Sequence, residues 1–143
     1  MSSNWQEIVA DWQGELTFSG KNDLGNSVQM GTKKDKNNIS PMELLLMGLA
    51  GCTGYDVVGI LKKKRQELKG FQIKVRAKRA DTYPMVYTDI EVEYSLWGTG
   101  LIEKDVSRAI ELSEDKYCSA SAMLGQAANI TSTFKIMEAE PKN

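Results

Sequence analysis

Histidine is absent from the 143-residue chain. That removes Ser-His-Asp and Cys-His mechanisms, imidazole general bases and histidine-ligated zinc. Cysteine is scarce. Only Cys52 and Cys118 are present, too few for a four-thiolate metal site within one chain. Neither sign of charge dominates: 18 basic residues face 19 acidic ones, a net of −1. Such a balance points to no nucleic-acid surface and no anionic membrane patch. The longest strongly apolar stretch, Leu44 to Tyr55, is bounded by Glu43 and Asp56 and falls short of the ~20 residues that span a bilayer. Met1 to Trp5 show no basic segment followed by an apolar one, so no signal peptide is expected. These absences predict a cytoplasmic protein with no metal and no bound cofactor. Its cysteines are then reduced or catalytic rather than structurally bridged.

What is present suits one globular domain over residues 1–143, with 41% apolar and 26% charged residues. Ile8, Ala10, Trp12, Leu16 and Phe18 recur at spacing two and predict a half-buried strand. Ser19 to Gly25 reads as a turn, and Val28 and Met30 as a second strand, so 7–31 reads as a hairpin. A Lys-rich polar loop, 32–38, follows. A long helix then starts at a capping box made by Ser40 and Glu43, with Pro41 at its first position. Its apolar residues fall on every side, which predicts a buried helix. Gly48, Gly51, Gly54 and Gly59 make sense on it if other backbones approach closely. Lys62 to Arg65 match the C-terminal dipole, a better account of that basic run than nucleic acid, and Gly70 is the expected stop. Further strands are expected at 71–77, 90–96 and 130–136, with helices at 102–114 and 119–128.

Hairpins with segregated helices define an α+β fold. One antiparallel sheet and two amphipathic helices are too little to enclose a helix of about 28 residues, roughly 42 Å long at 1.5 Å per residue. A second subunit supplies the missing cover, so the burial argument predicts an intertwined homodimer around the long central helix.

Chemistry is confined to few residues. Buried cysteine ordinarily packs as a small hydrophobe. Cys52, however, sits among small residues in Leu49-Ala50-Gly51-Cys52-Thr53-Gly54. Cys118 precedes an expected helix N-terminus, whose backbone donors lower a thiol pKa. One thiol that becomes a sulfenic acid and another that condenses with it are the minimum for a two-cysteine redox cycle. Asp56 lies one turn beyond Cys52 on the same face. It either pairs with a basic residue or accepts the thiol proton.

Ser40-Pro41-x-Glu43, Ala50-Gly51-Cys52 on a long apolar helix, and the distant Cys118 at a helix start together resemble the OsmC/Ohr superfamily of organic hydroperoxide resistance proteins. Asp56-Val57-Val58, Leu112-Ser113 and Glu114 to Ser119 resemble its YhfA-like branch. The resemblance implies an intertwined α+β dimer and thiol peroxidase chemistry. It implies Cys52 as peroxidatic thiol, Cys118 as resolving thiol, an organic hydroperoxide as substrate and a lipoyl-like dithiol as reductant. The peroxidase branches carry a glutamate directly after the proline, where this chain has Met42, and an arginine near the N-terminal hairpin, where it has none. Glu43 is the nearby acid, although an ideal helix sets it about 180° from Cys52. Capping alone accounts for it. Lys21, Lys33, Lys34 and Lys36 are the available cations, with Lys21 favoured. The departures leave a second reading, a non-catalytic dimeric module of the same fold that binds a small ligand or senses redox state.

Overall fold

The protein is described as a computed structural model covering residues 4–32 and 37–138. Its class is α+β, in the order β1 (Val9–Trp12), β2 (Phe18–Lys21), β3 (Ser27–Met30), α1 (Pro41–Lys63), β4 (Leu68–Arg79), β5 (Tyr87–Gly98), α2 (Glu103–Leu112), a π turn (Ser113–Tyr117), α3 (Ser119–Leu124) and β6 (Asn129–Met137). Two compact units divide the chain, Met1–Leu45 and Leu46–Asn143.

The first unit holds a three-stranded antiparallel meander, β1-β2-β3, instead of the expected hairpin. The long alternating run breaks at Gly14 (φ 103°) and Glu15 (φ 51°), both left-handed. The Trp12 indole N–H donates to the Glu15 carbonyl at 2.9 Å and fixes that turn. The next turn is built by Asn22, whose side-chain oxygen accepts from the N–H groups of Leu24 (3.1 Å) and Asn26 (2.9 Å). The capping box forms as expected. Ser40 N–H donates to the Glu43 carboxylate at 2.9 Å, and Glu43 N–H donates to Ser40 Oγ at 3.1 Å.

α1 runs on into the second unit, is 23 residues long and ends at Lys63, short of Gly70. The stop is a Schellman motif with a non-glycine residue in the left-handed position: Arg65 has φ 59°, Arg65 N–H donates to the Lys62 carbonyl and Gln66 N–H to that of Leu61. Gly70 lies in β4. By length and composition alone α1 could cross a bilayer, with a mean hydropathy of 1.7, a property shared by core helices of soluble proteins. The expectation that α1 is buried all round does not hold for the single chain. Only Leu49, Thr53, Val57 and Leu61 are buried, one stripe at four-residue spacing. Tyr55, 85% exposed, lies on the opposite side with Met47 and Val58, also exposed.

The second sheet has the order β4-β5-β6. β4 and β5 are antiparallel, but β5 and β6 run parallel, with Ile90 opposite Ile130 and Tyr94 opposite Phe134. α2, the π turn and α3 form the crossover that a parallel pair requires. Ile90, Val92, Tyr94 and Leu96 of central β5, Val106 and Ala109 of α2, and the α1 stripe supply the core.

Candidate two-cysteine site

The second unit brings Cys52 and Cys118 together. Cys52 is half-buried on α1. At about 100° per residue it falls at the seam between the buried stripe and the exposed apolar side. Cys118 is 3% exposed and close enough to Cys52 for the two thiols to interact. Both are free thiols.

The π turn positions Cys118. Its wide i+5 bond runs from Cys118 N–H to the Ser113 carbonyl at 2.7 Å. Cys118 then caps α3, where its sulfur accepts from Ser121 N–H at 3.3 Å. That donor and the Ser121 side chain favour the thiolate, as expected of a helix start. Burial outweighs both, and Cys52 adds to it, so the Cys118 pKa is raised rather than lowered.

Asp56 lies with the cysteines, and its carboxylate is met by a hydroxyl and not by a base: Ser113 Oγ donates to it at 2.8 Å. Glu43 sits in the first unit with its carboxylate engaged in the capping box. Lys21 ends β2 in the same unit and is exposed. Lys33, Lys34 and Lys36 lie outside the described residues.

Tyr94 and Glu114 belong to this neighbourhood and were missed by reading the sequence for chemistry. The fully buried Tyr94 hydroxyl donates to Glu114 at 2.7 Å, and Ser132 Oγ donates to the other carboxylate oxygen at 2.9 Å. Burial, then the Glu114 carboxylate, pushes the Tyr94 phenol far above its ordinary range; Thr53 opposes this and Cys118 adds to it. In sequence, Tyr94 is one member of an alternating strand and Glu114 one acid in a charged turn. Neither carries a signal without the pairing.

Two thiols set between a helix and a crossover turn, on an α+β frame, place the molecule in a class, and comparison with known proteins agrees. Residues 32–133 match the family described as OsmC-like protein, and the chain belongs to that family. Its relatives place it in the YhfA-like branch. It is 36% identical to Protein YhfA of Escherichia coli K12 over 128 residues, covering 90% of this chain and 96% of YhfA. A hypothetical protein from Aquifex aeolicus VF5, known as a crystal structure, is 36% identical with a TM-score of 0.87, covering 96% of this chain and 100% of that one. The organic hydroperoxide resistance protein OhrB of Bacillus subtilis shares the fold, with a TM-score of 0.63 at 14% identity over 92% of this chain and 98% of its own.

Proposed function

We propose that this protein is a thiol-dependent redox protein that reduces organic hydroperoxides through Cys52 and Cys118, working as a cytoplasmic homodimer. The observation that carries the reading is the meeting of its only two thiols, one half-buried and one buried, in a single unit. Cys52 sulfur attacks the peroxide, the O–O bond breaks, and an alcohol leaves as Cys52 becomes a sulfenic acid. Cys118 condenses with it, water leaves, and a lipoyl-like dithiol reduces the disulfide. Asp56 is the carboxylate nearest in sequence to receive the thiol proton. The seam position of Cys52, beside the exposed apolar side of α1, supports a site completed by a second copy of the chain. Gly48, Gly51 and Gly59 support it too, because an added Cβ at each would meet nothing within 4 Å. Glu43 acts in helix capping in this reading, and Lys21 is the cation whose role is open to test.

Intact mass after one equivalent of cumene hydroperoxide, with hydrogen peroxide alongside and peptide mapping, tests this. The expected result is rapid loss of two hydrogens per chain, mapped to a Cys52–Cys118 bridge and faster with the organic peroxide. Survival of both thiols overturns it. That outcome favours the ligand-binding or redox-sensing module, a reading supported by Met42 after the proline and by the raised pKa of Cys118.

A further inference from the structure

Resting on the two-cysteine reading, we propose that Ser113 and Glu114 form a clamp that positions Cys118 for condensation with the Cys52 sulfenic acid. Ser113 is held at both ends. Its hydroxyl donates to Asp56 on α1 at 2.8 Å, and its carbonyl accepts from Cys118 N–H at 2.7 Å. Asp56 is one helical turn from Cys52, so a single residue ties the segment bearing one thiol to the backbone of the other. Glu114 anchors the same turn from the sheet side through Tyr94 of β5 and Ser132 of β6. Ser113 is fully buried, as is Tyr94. The π turn is therefore fastened to the helix and to two strands at successive residues, immediately before Cys118.

The step served is internal. An S–S bond forms between Cys52 and Cys118, the S–O bond of the sulfenic acid breaks, and hydroxyl leaves with the Cys118 proton as water. No outside oxidant or reductant enters. Hydroperoxide attack on Cys52 comes earlier and needs no Cys118, so loss of the clamp is read in the rate of condensation relative to first oxidation, a step that Ser113 touches only through Asp56.

The test is stopped-flow oxidation of the full-length protein by cumene hydroperoxide. A sulfenic-acid trap measures the first step, and intact mass measures disulfide appearance. Ser113→Ala is expected to slow condensation about 10-fold to 100-fold relative to oxidation, the scale of an ångström-level misplacement. Ser113→Thr, which keeps the hydroxyl, restores the ratio. Glu114→Ala slows condensation in the same sense, whereas Glu114→Gln, still an acceptor for Tyr94, retains most of it. Unchanged ratios in Ser113→Ala and Glu114→Ala overturn the clamp while leaving the two-cysteine reading intact. So does an equal fall of both steps in Ser113→Ala that threonine does not repair. A wild-type protein that forms no sulfenic acid and no disulfide overturns the underlying reading itself.

Discussion

From residue 46 onward the chain encloses an apolar core, in which Leu49, Val57, Tyr94 and Leu96 are fully buried, although one side of α1 stays exposed. Among the described residues up to 45, Trp5, Trp12, Leu16 and Leu24 are exposed, Trp12 by 67%. Among the same described residues the buried positions are two glycines, Gly20 and Gly31. The same alternating code produces strands in both units, but only the second encloses a core. A sheet of three four-residue strands with its apolar side chains in water is marginal by itself. Chemistry divides the same way. Both thiols and the Asp56, Ser113, Tyr94 and Glu114 network belong to the second unit, whereas Lys21 and Glu43 belong to the first. The contrast agrees with the homodimer proposed above, in which a second copy would cover apolar surface that the single chain leaves open.

The largest expected effect is chemical. Cys52→Ser abolishes hydroperoxide consumption, and Cys118→Ser keeps the first turnover but stops recycling, both followed as peroxide loss. Steady turnover in both variants rules out the scheme. Next is packing. Leu49→Ala costs about 2–5 kcal/mol in denaturant unfolding, as a fully buried leucine should. Trp12→Ala stays within about 0.5 kcal/mol if the first unit is free. In a dimer it costs more and makes the unfolding midpoint concentration-dependent. A small effect independent of concentration breaks the dimer account of the exposed unit. Tyr55→Arg, on the open side of α1, is expected to shift sedimentation from dimer to monomer.

Smaller still is Ser40→Ala, expected to cost about 1 kcal/mol of stability through the lost cap. If Glu43 only caps, Glu43→Gln retains peroxide turnover; a large fall assigns it to the chemistry. The finest distinction is pH. The folded Cys118 thiol ionises above its ordinary range because burial outweighs its donors. The unfolded chain therefore ionises first, at about pH 8.5. Stability from this group is complete below that pH and is lost as pH rises toward the folded value. Tyr94 acts in the same sense at higher pH. Urea midpoints across the alkaline range should fall, and Cys118→Ala should flatten the early part of that fall. An unaltered slope contradicts the burial argument.

Local signals were legible where they are self-contained. Ser40 and Glu43 three residues apart specify a capping box from side-chain reach alone, and it formed. The spacing of Val106, Ala109 and Ile110 foretold the buried face of α2. Two boundaries were not legible because non-glycine residues adopt left-handed backbone. Glu15 splits the first strand, and Arg65 ends α1 well before Gly70. Nor was the parallel pairing of β5 and β6, since alternation reports which face is buried and says nothing of strand direction.

The sequence by itself determined the α+β class, the order of the main elements, the two thiols and the family, because these rest on periodicity, capping chemistry and residue identity. Tertiary structure alone decided that Ser113 meets Asp56 and Tyr94 meets Glu114, and that burial raises the Cys118 pKa where a helix start would lower it. Those outcomes depend on hydrogen-bond partners and desolvation contributed by segments far apart in the chain, and no local pattern encodes them.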